Sequence, residues 1–242
     1  MLKAFSVTDI GKRRQINQDY IYASEKSVGN LPNLFIVADG MGGHKAGDFA
    51  AKCAVETICE YAGRSFEKNP IRILKKAIEA ANESIHQKAQ EDACYEGMGT
   101  TVVAAACLGK YLQIANVGDS RLYVIGKEIR QITTDHSLVE EMIRMGGIDR
   151  KSARSHPDKN IITRAIGAND TVDIDFFSVE LTPREKVLMC SDGLSNMMED
   201  IEMLKIVQEA ENIEEGAKQL VAFANARGGR DNISVILIEQ IA

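Results

Sequence analysis

Several features that mark common protein classes are missing from this 242-residue chain. It holds no apolar run of 18 residues, and Met1-Leu2-Lys3-Ala4-Phe5-Ser6 gives way to Asp9 rather than to a long hydrophobic segment. Neither a membrane-spanning helix nor a secretory leader is expected. The five cysteines, Cys53, Cys59, Cys94, Cys107 and Cys190, are odd in number, scattered, and never spaced Cys-x-x-Cys. This argues against a disulfide framework and a zinc knuckle, and for a reducing, cytoplasmic compartment. Cys53, Cys107 and Cys190 lie in apolar contexts and read as small core residues. Only four prolines occur, with no low-complexity linker and no repeat, so one domain over residues 1–242 is expected. Lys and Arg number 29 against 35 Asp and Glu, and the net charge of −6 disfavours a nucleic-acid scaffold.

What is present is an ordinary globular composition, 45% hydrophobic and 26% charged, long enough for a large core. Strand-like stretches are Phe5–Thr8, Tyr20–Ala23, Leu34–Ala38, Thr101–Leu108, Tyr111–Val117, Leu122–Ile125, Val172–Glu180, Val187–Cys190 and Ile233–Glu239. Gly109-Lys110 between two of them is a hairpin signal. The strands come in runs, which favours antiparallel sheets over a doubly wound parallel one. Helical spacing appears over Ala46–Tyr61, then after Asn69 as N-cap with Pro70 at the first position, and later over Ile201–Ala210 and Glu214–Arg227, the last stopping at Gly228-Gly229. The expectation is an α+β fold: a four-layer α-β-β-α sandwich of two central, mainly antiparallel sheets flanked by helices.

Aspartates stand at the ends of the apolar runs. Asp39-Gly40-Met41-Gly42-Gly43 follows Leu34–Ala38, Ser191-Asp192-Gly193 follows Val187–Cys190, and Asp231-Asn232 opens Ile233–Ile238. Each alone is an everyday turn sequence. Together they describe buried strands delivering carboxylates to a hard-cation site, and oxygen ligands with little His or Cys favour Mg²⁺ or Mn²⁺ over zinc. Arg14-Gln15-Ile16-Asn17-Gln18-Asp19 adds a guanidinium fork suited to phosphate oxygens and a further carboxylate. Residues 143–160, with Gly146-Gly147 and a polar run from Arg150 to His156, read equally as a plain surface loop or as a flap beside the site.

The order Arg14-x-x-Asn17-Gln18-Asp19, Asp39-Gly40-Met41-Gly42-Gly43, Gly99-Thr100-Thr101, Asn116-Val117-Gly118-Asp119-Ser120-Arg121, Ser191-Asp192-Gly193 and Gly229-Arg230-Asp231-Asn232 resembles the metal-dependent protein phosphatases, the PPM or protein phosphatase 2C family, and above all its compact bacterial serine/threonine members. The match spans essentially the whole chain. It implies that Asp39 bridges two Mn²⁺ or Mg²⁺ ions, that Asp192 and Asp231 hold the first, and that the Gly40 carbonyl helps hold the second. It implies that Asp19 acts mainly through water, that Asp119 with Asp192 holds a weaker third ion, and that Arg14 binds the phosphate. Segment 143–160 matches the variable flap. The implied reaction is hydrolysis of phosphoserine and phosphothreonine monoesters by direct attack of a metal-bridging hydroxide, and the implied partners are phosphorylated proteins, a serine/threonine protein kinase among them; a monomer is expected. The physics agrees: two cations offset the charge of a phosphate dianion and acidify water.

Two positions depart from the family pattern. Met41 stands where eukaryotic members carry a His taken as general acid, leaving His44 or a water to protonate the leaving alcohol. Gln18 stands where those members usually carry Glu. Rival readings are a metal-binding regulatory module without turnover, an enzyme dedicated to one regulator in a partner-switching system, and a two-metal phosphodiesterase or nuclease. The intact aspartates oppose the first, the lack of room for sensor domains the second, and the acidic charge the third.

Overall fold

The structure is a computed structural model that describes residues 2–42 and 46–240. The chain opens with strands β1 (Leu2–Asp9), β2 (Asp19–Ser24) and β3 (Leu34–Met41), followed by helices α1 (Ala46–Arg64) and α2 (Pro70–Glu91). Then come β4 (Gly99–Thr100), β5 (Val102–Leu108), β6 (Tyr111–Val117), β7 (Arg121–Ile125) and β8 (Ile129–Gln131). Helices α3 (Leu138–Arg144) and α4 (Arg150–Arg154) lead to β9 (Asp175–Glu180) and β10 (Lys186–Cys190). The last elements are α5 (Asp192–Ser195), α6 (Asp200–Glu209), α7 (Ile213–Ala226) and β11 (Ile233–Gln240).

Two antiparallel sheets result. One runs β1-β11-β10-β7-β8, the other β2-β3-β5-β6-β9 with β4 paired to β3. Alternation along the strands decides the layers. In β3, Leu34, Ile36 and Ala38 face the buried sides of α1 and α2, while Phe35 and Val37 face the opposite sheet. In β11, Val235 and Leu237 face the helices α5, α6 and α7, while Ile236 and Ile238 point inward. Both faces of the central strands are thus buried, which is why they read as near-continuous apolar runs and why the expected α-β-β-α sandwich forms.

Local signals hold where they were strongest. The Asn69 side chain accepts from the Arg72 N–H at 3.2 Å with Pro70 in the first turn of α2. Gly109 takes a φ of +62° in the β5–β6 hairpin, where an L side chain would be strained. The differences have physical causes. The strand expected from Thr101 begins at Val102, because the Thr101 N–H and hydroxyl turn aside to the Asp39 backbone. The strand expected from Val172 begins at Asp175; Val172 and Ile174 instead pack against the α1–α2 core. Strands β4 and β8 were not expected. Within residues 143–160 the chain forms α4, capped by Asp149 on the Ser152 N–H, and α3 before it is capped by Ser137 on the Glu140 N–H. Cys107 and Cys190 are buried as expected, whereas Cys53 is half-buried.

Phe35 tests the inter-sheet core. It is fully buried between the sheets. Phe35→Ala is expected to cost about 3–5 kcal/mol of unfolding free energy, read from the urea midpoint at unchanged slope.

Candidate metal centre

The topology brings the aspartates to one end of the sandwich. Asp19 and Asp39 sit directly opposite each other in the β2–β3 register. Asp119 lies on the segment that leaves β6 of one sheet for β7 of the other. Asp192 follows the end of β10, and Asp231 precedes β11, its antiparallel neighbour. Asp39, Asp119, Asp192, Asp231, Gly40 and Arg14 line one cleft of about 240 Å³. Asp19 is buried beside it. Among the described residues no His or Cys lines this cleft; His44 lies outside the described residues.

Small residues and polar pins hold the motifs together. A Cβ on Gly40 would stand 2.0 Å from the Gly47 carbonyl oxygen, and one on Gly193 would stand 1.8 Å from the Asn232 carbonyl oxygen. Both glycines are therefore required by close backbone approach. Asn232 clamps the N-terminal motif onto the last one. Its Nδ2 donates to the carbonyls of Ile10 at 2.9 Å and Ile16 at 3.0 Å, and its Oδ1 accepts from the Gln18 N–H at 2.8 Å. Ser191 Oγ donates to Asp19 Oδ2 at 2.7 Å and accepts from the Ser234 N–H at 3.0 Å. The sequence placed Ser191 and Asn232 inside motifs but gave them no task; Asp19 lies 172 residues from Ser191, and the partners of the Asn232 amide lie 214–222 residues away. Arg14 Nη2 donates to Asp231 Oδ2 at 2.7 Å, so the expected phosphate ligand leans on an expected metal ligand. No ion pair involves Arg13 among the described residues.

The electrostatics are those of carboxylates crowded into a poorly solvated cleft. Burial pushes Asp19 up to about 7, against hydrogen bonds from Ser234 and Ser191. Burial and then Asp231 push Asp192 up to about 6. Asp39 and Asp119 are held well above the ordinary range, first by burial, then by Asp19 and by Asp192 respectively. Oδ1 of Asp19 and Oδ1 of Asp192 are buried without a hydrogen-bond partner. Orphaned carboxylate oxygens in an all-oxygen cleft fit a hard divalent cation. Among the described residues no three acidic, histidine or cysteine side chains converge closely enough to enclose an ion by themselves. Water and backbone carbonyls would complete the shell, which is the habit of Mg²⁺: few carboxylates, several waters and substrate phosphate.

A pH dependence follows. A carboxyl raised in the folded state contributes stability that is fully present below its unfolded value near 3.8 and is lost as pH rises through about 6 to 7, the values for Asp192 and Asp19. Metal-free protein is expected to lose thermal stability between pH 5 and pH 8. Saturating Mn²⁺ or Mg²⁺ is expected to restore it, with a larger rise at pH 8 than at pH 5. A cation at 100 times its Kd adds about 2.7 kcal/mol, roughly 5–10 °C for a chain of this size. Calorimetric melts with EDTA or metal across that range are the measurement; an equal metal effect at both ends would contradict the strain.

The chain matches the protein phosphatase 2C family model over residues 11–225. It is 40% identical over 242 residues to a protein of Listeria monocytogenes named serine/threonine phosphatase stp, covering 96% of this chain and 94% of that one. The crystal structure of serine/threonine phosphatase Stp1 from Staphylococcus aureus superposes with a TM-score of 0.93 at 35% identity, covering 100% of this chain and 96% of the other. That of the catalytic domain of the serine/threonine protein phosphatase PstP in complex with two manganese ions gives 0.88 at 30% identity, covering 100% and 99%. Fold, matched span and the order of the aspartate motifs agree: the chain belongs to the protein phosphatase 2C family of metal-dependent serine/threonine phosphatases.

Proposed function

We propose that this chain removes phosphate from phosphoserine and phosphothreonine of protein substrates in the cleft at the end of its two sheets. One observation carries the reading: four aspartates from both sheets and Arg14 meet in that cleft, with buried carboxylate oxygens lacking any partner. Asp39, Asp192 and Asp231, with the Gly40 carbonyl, would hold two divalent cations; Asp19 would contribute through water; Asp119 with Asp192 would hold a weaker third. Mn²⁺ or Mg²⁺ serves. Bound cations supply charge neutralisation of the phosphate and an acidified water. Arg14 uses one arm of its fork on Asp231, leaving other N–H donors for phosphoryl oxygens. The leaving alcohol takes its proton from His44 or from water.

The whole chain acts as one catalytic domain and as a monomer in the cytoplasm, opposing a serine/threonine protein kinase, with residues 143–160 as a flap over substrate access. In support, the net charge is −6 and no helix among the described residues is long and apolar enough to cross a membrane. Asn160 from the end of that segment lines the cleft.

Hydrolysis of a phosphothreonine peptide is expected to need Mn²⁺ or Mg²⁺ and to exceed hydrolysis of a phosphodiester. Asp39→Ala and Asp231→Ala should each abolish turnover while far-ultraviolet circular dichroism stays native. Full turnover in excess EDTA would overturn the mechanism, and wild-type metal affinity in Asp39→Ala would overturn the assignment of Asp39 as a metal ligand.

Arg14→Ala is expected to lower kcat/KM by about 1.5–3 kcal/mol, roughly 10- to 150-fold, the range for hydrogen bonds to charged groups. Metal affinity should change far less. Arg13→Ala is the control and should be milder. Kinetics at saturating Mn²⁺ decide; a damaging Arg13→Ala beside a silent Arg14→Ala would move the phosphate assignment by one residue.

A further inference from the structure

Asp119 has no strand of its own to fix it. It sits on the short crossing between β6 and β7, so its carboxylate goes where the backbone of residues 118–120 puts it. One side of that crossing is pinned by Thr101. Ser120 Oγ lies 2.8 Å from Thr101 Oγ1, and Gly118, at a φ of +103°, passes so close that a Cβ there would stand 2.5 Å from the Thr101 side chain. The other side is pinned by His136, buried just before α3. Its backbone N–H donates to the Gly118 carbonyl at 3.0 Å, and its ring Nδ1 accepts from the Gly118 N–H at 3.0 Å.

An Nδ1 that accepts carries no proton, so the proton of the neutral ring sits on Nε2. Nε2 lies 3.1 Å from Asp175 Oδ2, and Arg164 Nη1 donates to Asp175 Oδ1 at 3.0 Å. Burial works to raise the Asp175 carboxyl, yet the hydrogen bond from His136 and the charge and hydrogen bond of Arg164 hold it below its ordinary value, so an anionic acceptor faces Nε2–H. Arg164 Nη1 also comes within 3.4 Å of Nε2, but a neutral ring accepting there would set an Nδ1–H against the Gly118 N–H.

We infer that His136 is a positioning residue for Asp119: Asp175 selects the Nε2–H tautomer, and the bare Nδ1 then holds the Gly118 amide that aims the Asp119 carboxylate into the catalytic cleft. The inference rests on the proposed phosphatase reading for the task it gives Asp119. The same residue bears on the flap. The His136 carbonyl accepts from the Thr163 N–H at 2.8 Å, and its neighbour Ser137 bridges to Ile162, so both ends of segment 138–162 close beside the residue that holds Gly118.

Three variants separate positioning from mere packing. Asp175→Asn, at a half-exposed carboxylate, sets an amide donor against either Nε2–H or Arg164 and so penalises the required tautomer. His136→Gln places its amide near the Nε2 end and loses the acceptor; His136→Asn keeps an oxygen near Nδ1. In metal-free wild-type protein at neutral pH, ring ¹⁵N spectroscopy is expected to show a protonated Nε2 and a bare Nδ1, with a slowly exchanging Gly118 amide. Asp175→Asn and His136→Gln are expected to speed that exchange, to lower kcat more than KM, and to weaken the Mn²⁺ that depends on Asp119, each by about tenfold or more. His136→Asn should recover most of the loss. In an Asp119→Ala background the losses in turnover and Mn²⁺ binding should vanish, because the residues act through one carboxylate. A proton on Nδ1 in the wild-type protein, equal damage from His136→Asn and His136→Gln, or undiminished losses on top of Asp119→Ala would each overturn the assignment. A wild-type protein inactive on phosphothreonine peptide would overturn the phosphatase reading instead, while the tautomer and the Gly118 exchange would still decide the role of His136.

Discussion

The confinement of several carboxylates in one poorly solvated cleft, costly first through burial and then through their mutual repulsion, is the constraint on which the site depends. Asp19 is buried and Asp39, Asp119 and Asp192 are partly buried in the cleft, and burial together with neighbouring carboxylates raises each above the ordinary aspartate range. Unpaired charges in such a place are costly. A fold that tolerates the cost keeps the groups apart only by rigid backbone and offers the charge to something that binds. A divalent cation would relieve the strain, so the interactions that cost stability without metal are the ones that would favour its binding.

Rigidity comes from the sandwich. Strands β3, β10 and β11 are buried on both faces, and their side chains alternate between an inter-sheet core and a helical layer. Such strands cannot shift register by one residue without turning both sets of apolar groups over. The aspartates at their ends inherit that fixity. Glycines at 40 and 193 let the ends come together, and the Asn232 amide and Ser191 hydroxyl stitch segments from opposite ends of the chain. The Arg14–Asp231 pair is half-exposed and worth little as a stabiliser. Its value is placement, since it holds a cation beside the carboxylates at the mouth of the cleft.

Where the centre is not built on strands, it is built on hydrogen bonds. Asp119 is carried by a crossing loop and gains its position from Thr101 on one side and His136 on the other. The His136–Asp175–Arg164 chain ties this loop to β9, and the Ser137–Ile162 bridge ties it to the base of the segment containing α3 and α4. The loop that carries Asp119 and the base of segment 138–162 therefore share one set of contacts.

The sequence by itself determined a good deal. The long, doubly buried strands, the Asn69–Pro70 helix start, the Gly109 hairpin and the Asp-bearing strand ends all rest on local patterns, because apolar runs, caps and positive-φ glycines act over a few residues. Its motif order also determined the family and singled out Arg14, Asp39, Asp119, Asp192 and Asp231, which the tertiary structure places in one cleft. Only the tertiary structure decided the rest. Strand β4 has two residues and β8 three, too few for a pattern of their own, and they exist because a neighbouring strand supplies their hydrogen bonds. The start of β5 moved because Thr101 found Asp39 across the sheet. The contacts of Ser191 with Asp19, Asn232 with Ile10, and Arg14 with Asp231 span 172 to 222 residues of chain. No local propensity encodes such pairs; they form only when sheet register and packing have brought both partners to the same end of the sandwich.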